Sequence, residues 1–144
     1  MVDKMTKIRA YADADRVAVV ALWREAFPGD PPRNEPNAIL DRKIPLGDGL
    51  VFVAEHGGSV VAAVVAGYDG YRGWIYHLAV AAGWRREGIG TALMREAEAA
   101  LAARGCPKVN LQVRTSNPEA VAFYEAIGYS TDATVSMGRV LPKA

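Results

Sequence analysis

A chain of 144 residues with 51% hydrophobic content, 17 basic and 16 acidic side chains and a formal net charge of +1 reads as one domain, residues 1–144 with a core over about 6–141. That size buries about 70% of the surface its unfolded form exposes. The balanced charge excludes the basic footprint of a nucleic-acid binder or of a protein held to an anionic membrane. Cys106 is the single cysteine, so no internal disulfide is open to it, and with only His56 and His77 beside it no cluster has the spacing of a metal site. The longest apolar run, Val60 to Ala66, falls far short of the roughly 18 residues that span a bilayer. A soluble, cytoplasmic protein with no membrane or metal partner is the expectation.

Lys7 to Ala10 predicts a short first strand. Asp13 then caps an amphipathic helix with Val17, Val20, Ala21 and Phe27 at helical spacing, which Pro28-Gly29 ends. Prolines make residues 30–36 a loop, and Asn37 to Lys43 predicts a second, shorter helix. Leu50 to Glu55 and Val60 to Gly67 are rich in β-branched residues, and His56-Gly-Gly-Ser59 between them reads as a hairpin turn. Gly73 to Val80 continues the sheet. The helix from Ile89 to Ala103 carries Leu93, Ala97, Ala100 and Leu101 on one face and ends at Arg104-Gly105. Lys108 to Arg114 is the next strand. Asn117 caps a last helix with Pro118 at its first position, Gly128 ends it, and Tyr129 to Leu141 predicts a final pair of strands. This order gives an α/β arrangement around one mixed, mostly antiparallel sheet with about four helices.

The chemistry concentrates where the third antiparallel strand meets the long helix. Gly88 and Gly90 lack the Cβ atoms that would hold an anion away from the chain, and the helix behind them points unpaired N–H groups at the same place. A helix N-terminus carries roughly half a positive charge, which favours a pyrophosphate. Arg85 and Arg86 add charge-assisted donors. No lysine follows Gly90 as a P-loop requires. Leu93 stands where a dinucleotide fingerprint needs a third glycine or alanine, and Lys108-Val109-Asn110 supplies no ribose-binding carboxylate.

The spacing Arg-x-x-Gly-x-Gly of Arg85, Gly88 and Gly90 resembles that of the GNAT superfamily of acetyl-coenzyme A-dependent N-acetyltransferases. The resemblance extends over Leu78-Ala79-Val80 and over Asn117 to Tyr129. It implies the GNAT fold, with a splayed central strand whose backbone at Leu78, Ala79 and Val80 meets the pantetheine arm and the oxyanion. It implies a turn of Arg85, Arg86, Glu87, Gly88, Ile89, Gly90 and Thr91 around the pyrophosphate, and further coenzyme contacts from Asn117 and Tyr124. It also implies acetyl-CoA as co-substrate, an amine acceptor that is a small molecule or a peptide N-terminus or lysine, and a homodimer paired through the terminal strands.

Direct transfer to an amine demands a base for the amine, donors for the oxyanion and an acid for the thiolate. Tyr124, two helical turns beyond Asn117, matches the family's general acid; its other reading is a border residue of the Ala120, Phe123, Ile127 stripe. Trp74 and Gln112 stand where family members often place a glutamate base, and neither takes a proton at neutral pH. His77, with an ordinary pKa near 6.5, Asp69, or a water chain past Gln112 and Tyr76 remain as bases. Strand alternation puts His77 on the face opposite Tyr76 and Leu78, and a purely structural His77 stays open. Asp30, Glu35 and Asp41 either attract a cationic amine or form a solvated charged loop. Asn117 to Tyr129 is similar to the branch that acetylates ribosomal-protein N-termini, but Gln112 replaces that branch's glutamate, so a poorly characterised bacterial branch fits better. A coenzyme A-binding sensor or partner-binding module with little turnover is the competing function.

Overall fold

The computed structural model describes residues 2–143. They fall into two compact units, one running to Gln112 and one beginning at Val113, and each is described by itself.

The first unit is built on a five-stranded sheet in the order β1 (Thr6–Ala10), β2 (Val51–His56), β3 (Ser59–Tyr68), β4 (Gly73–Val80) and β5 (Val109–Leu111). Neighbours from β1 to β4 are antiparallel. The β2–β3 connection is the two-residue Gly57-Gly58 turn, both residues at positive φ, which suits the twist of a hairpin. Between β4 and β5 the chain makes the long crossover helix α3 (Ile89–Ala103), and a crossover returns the chain parallel: β5 pairs with β4 in that sense. No helix among the described residues is long and apolar enough to cross a membrane.

Side chains alternate across the sheet. Val51, Val53, Ala63, Val65 and Ala79 join the core that also holds Val19, Val20, Leu22 and Trp23 of α1 (Arg16–Ala26) and Leu40 of α2 (Pro36–Lys43). The opposite face carries Phe52, Ala54, Ala62, Val64 and Ile75, and α3 packs its buried Leu93, Met94, Ala97 and Leu101 there.

The helix phase of α1 departs from the sequence expectation. Val17 is 82% exposed and Ala21 is exposed as well, while Val19, Val20, Leu22 and Trp23 are buried. Val19, Leu22, Trp23 and Ala26 recur at i, i+3, i+4 and i+7 and present the larger apolar face to the core. The entry to the helix differs too. Asp13 opens a 3₁₀ turn, Asp13–Asp15, and provides no cap. Buried Asp15 instead accepts the Ala12 N–H at 2.8 Å and both terminal nitrogens of Arg9 at 2.8 and 2.9 Å. Arg9 Nε donates to Glu55 at 2.8 Å, so one guanidinium ties β1, β2 and the entry to α1. Helix α2 begins as its prolines suggest, with Glu35 accepting the Ala38 N–H at 3.0 Å.

Strand β5 is shorter than expected, three residues in place of the predicted Lys108 to Arg114. In the second unit α4 (Pro118–Ala126) forms as predicted, with Asn117 Oδ1 accepting the Ala120 N–H at 3.2 Å. The expected strands over Tyr129 to Leu141 are absent among the described residues. Apolar alternation makes a strand only when one face is covered, and Val135, Met137, Val140 and Leu141 are all exposed. The strands through which the resemblance expected two copies to pair are therefore not formed.

Gly73 shows how closely α3 and β4 approach. A Cβ there would lie 2.8 Å from Cys106 Sγ and 3.0 Å from Leu101 Cδ1. Gly73→Ala is expected to lower unfolding stability by about 1–3 kcal/mol through overpacking. Adding Cys106→Ala should return part of that loss. Urea unfolding of the two single variants and the double variant measures the coupling; strictly additive losses would show that the sulfur is not the obstacle.

Candidate active site

Strand β4 outruns its neighbour. Its last ladder partner on β5 is Leu111, opposite Ile75, and the remaining five residues, Tyr76 to Val80, have no β5 partner. Leu78, Ala79 and Val80, the residues expected to meet the pantetheine arm, all lie on this open stretch. Backbone N–H and C=O groups on that side are thus left to another partner.

A bulge reshapes the same stretch. Ala63 pairs with Ala79 and Val65 with Tyr76, so Val64 alone stands opposite both His77 and Leu78. His77 takes the strain in the left-handed region at φ 52°, a conformation uncommon for any residue with a Cβ. This overturns the alternation expected for His77. The bulge turns its imidazole toward α1, on the face that Tyr76 shares with Val65, instead of the opposite one.

Contacts surround His77 there. Its ring meets the edges of Trp23 at 5.4 Å and Phe27 at 4.9 Å between centroids, at 70° and 65°. Its carbonyl oxygen accepts the Trp23 indole N–H at 2.9 Å. Its Nε2 lies 3.2 Å from Asp30 Oδ2, and because a carboxylate only accepts, the neutral ring must carry its proton on Nε2 and leave the Nδ1 lone pair free for other work. Burial pushes the His77 pKa below 6.5, against the opposing pull of the Asp30 charge.

Beyond Val80 the chain makes the turn predicted to hold phosphate. Arg85 Nε donates to the Val80 carbonyl at 3.2 Å, and the Trp84 ring packs 4.4 Å from that of His56 on β2. Arg86, at φ 65°, and Gly88, at φ 81°, are both left-handed, which brings Glu87 and Gly88 round to the start of α3. Arg85, Arg86, Glu87 and Gly88 are exposed, Gly90 and Thr91 half-buried, and Ile89 buried as the anchor of the helix. The N-cap of α3 is Gly88, which brings no capping side chain to the N–H groups of the first turn and so suits them to a ligand.

The remaining candidates sort differently. Asp69 accepts the N–H groups of Arg72 at 2.7 Å and Tyr71 at 2.8 Å, bonds that hold its carboxyl below the usual range and make it a weak base. Glu35 caps α2 and pairs with Arg24 at 3.0 Å, and Asp41 pairs with Arg16 at 3.1 Å. Asn117 and Tyr124 belong to the second unit. There the Tyr124 ring packs edge-on to Phe123 at 5.0 Å and Tyr129 at 5.8 Å, and burial pushes its phenol up to about 12. The sequence reading missed Trp23 as a partner of His77, and of its two readings of Asp30, a lure for a cationic amine or a solvated loop residue, neither paired it with His77; no periodic signal could join them, since the bulge that does so is a backbone feature.

Known proteins carry the same pattern. Residues 16–129 match the family model described as Acetyltransferase (GNAT) family. The chain is 38% identical over 135 residues to acetyltransferase YE1169 of Yersinia enterocolitica, covering 94% of this chain and 95% of that protein, and equally to acetyltransferase ECA0875 of Pectobacterium atrosepticum. Among solved structures, Ard1 from Thermoplasma volcanium superposes with a TM-score of 0.78 at 29% identity, over 90% of this chain and 85% of that one. The aminoglycoside N-acetyltransferase AAC(6')-Iy, solved in complex with CoA, shares the fold at a TM-score of 0.74 and 16% identity, over 94% of each chain. The open β4 edge, the glycine turn behind it and these likenesses together make the chain a member of the GNAT acetyltransferase family, an acetyl-CoA-dependent N-acetyltransferase.

Proposed function

We propose that the protein moves the acetyl group of acetyl-CoA directly to a primary amine, on a small molecule or on a peptide N-terminus or lysine. The observation that carries this reading is the unpaired end of β4 running straight into a phosphate-suited helix start. In it, backbone N–H groups around Leu78, Ala79 and Val80 hold the thioester carbonyl, and the turn from Arg85 to Thr91 takes the pyrophosphate. The acetyl carbon is then held for attack, and the attacking amine must arrive deprotonated. A cytoplasmic site of action goes with this substrate.

Tyr124 acts as the general acid in this scheme. A phenol near 12 facing a thiol whose ordinary pKa is about 8.5 leaves a gap of about 3.5 units, or ~5 kcal/mol for complete proton transfer. A strong hydrogen bond to the developing thiolate costs less than full transfer and stabilises the same charge. Tyr124→Phe is expected to lower kcat by about 100-fold with acetyl-CoA affinity changed little, as read by thiol release and by calorimetry. Equal losses in both would make Tyr124 a binding residue alone.

His77 is the base of the scheme. Its pKa is depressed in the folded chain, so it is neutral at pH 7 and able to accept a proton. The unfolded chain binds that proton more readily, so the stability it contributes is complete above about 6.5 and is lost as pH falls through the lower folded value. The pH profile of kcat/KM should show an acidic limb with its midpoint below about 6.5, and the limb should vanish in His77→Gln along with most of kcat. A limb that survives the substitution assigns the proton to another group.

Gly88→Val and Gly90→Val test the turn. The first forces a branched residue to φ 81° and the second places Cβ at the helix start. Both should weaken acetyl-CoA binding by about 100-fold or more, or ~3 kcal/mol, in a direct titration. Affinity kept in both variants removes the turn from the coenzyme site. Thiol release screened against amino acids, polyamines, aminoglycosides and N-terminal peptides identifies the acceptor.

A further inference from the structure

A left-handed histidine inside a strand is unfavourable by itself, and such residues persist only where their surroundings over-determine them. His77 is held at three points by one neighbouring segment. Trp23 Nε1 donates to its carbonyl oxygen at 2.9 Å, Asp30 takes its Nε2 at 3.2 Å, and the Trp23 and Phe27 rings fix the plane of the imidazole between those bonds. Trp23 is 1% exposed, and the side chains of His77 and Asp30 are 16% and 15% exposed, so water competes weakly for these bonds. The carbonyl of His77 belongs to the same peptide plane as the N–H of Leu78. Fixing the carbonyl toward Trp23 therefore aims the Leu78 N–H in the opposite direction.

We propose that Trp23 and Asp30 are positioning residues of acetyl transfer: acting through His77, they latch the β4 bulge and so orient the Leu78 N–H toward the thioester carbonyl. The inference rests on the acetyl-CoA reading above and adds to it the parts that set the donor's direction. It does not depend on His77 serving as the base. The segment from Trp23 to Asp30, the end of α1 and the turn after it, thereby becomes part of the acetyl site without touching the coenzyme. Its role is to hold a peptide plane still, and a rigid donor stabilises a developing oxyanion better than one that must reorient.

The test separates the acetyl group from the rest of the coenzyme. Acetyl-CoA and CoA share every contact except those to the acetyl carbonyl, so the ratio of their affinities reports the donor alone. Asp30→Ala, Asp30→Asn and Trp23→Phe are compared with wild type by calorimetry with each coenzyme, and kcat is measured by thiol release. The latch requires that Asp30→Ala and Trp23→Phe keep CoA affinity, lose most of the preference for acetyl-CoA, and drop kcat by roughly 10-fold or more, the worth of about one well-placed hydrogen bond. Asp30→Asn keeps an acceptor for Nε2 and should recover most of both. If Trp23→Phe fails to fold, the Asp30 pair, at the end of the segment and outside the main core, decides the matter.

Two results overturn the latch. One is a wild-type preference for acetyl-CoA that persists in Asp30→Ala and Trp23→Phe; the other is a parallel loss of affinity for both coenzymes, which marks a general structural role. A wild type that binds both coenzymes alike and releases no thiol overturns the acetyl-transfer reading itself, and with it the latch.

Discussion

The bulge at His77 is the constraint from which the rest of β4 follows. In a regular strand residues 76 and 79 would point to opposite faces. The extra residue lets both Tyr76 and Ala79 lie on the side of α1, where Ala79 joins the core beside Ala63 and Val65. A bulk larger than alanine at that position would meet the close-packed helix. Over the same stretch, beyond Ile75, the strand has no β5 partner. The distortion thus sets the packing on one face of a strand whose other edge is open, and the contacts that hold it come from the α1 segment that packs over it.

The phosphate-suited turn is positioned by the same sheet. Strand β4 delivers the chain at Val80, Ala81 N–H donates back to Val61 on β3 at 2.8 Å, and Trp84 rests on His56 of β2. Helix α3 is then held from behind by Leu93, Met94, Ala97 and Leu101 against the sheet. A helix anchored along its length cannot swing its N-terminus, so the open N–H groups at Gly88 to Thr91 keep their direction without a side-chain cap. Arg9 performs a comparable task at the far edge, where Asp15 and Glu55 on one guanidinium join two strands and a helix start. Desolvation of such a group is tolerable because two carboxylates and the Ala10 carbonyl accept its hydrogen bonds.

Strand and helix periodicity carried most of the fold into view. Gly73 to Val80, Ile89 to Ala103 and the Gly57-Gly58 hairpin lie where the pattern puts them, because each has a buried face that writes itself into the sequence. Two stripes at helical spacing compete in α1: Val17, Val20 and Ala21 form one, Val19, Leu22, Trp23 and Ala26 the other, and the second, with the larger side chains, turns inward. The Tyr129 to Leu141 segment alternates as a strand does, yet alternation describes a surface and says nothing about whether another strand lies beside it. At the candidate site, the glycines and arginines of the turn were visible because short motifs encode backbone approach. The side of the sheet that His77 faces was not, since a bulge shifts the period by one residue and leaves no mark in composition.

An unpaired strand edge is a hazard as well as an opening, for it offers its hydrogen-bonding groups to any extended chain that can lie along it. In β4 that exposure is limited to the five residues from Tyr76 to Val80, and a left-handed residue sits second among them. A regular strand added by a foreign chain needs a regular partner for several residues in a row. The bulge denies it that template while leaving individual N–H groups available to a flexible ligand. The irregularity that leaves this edge without a regular template makes it a poor seed for aggregation.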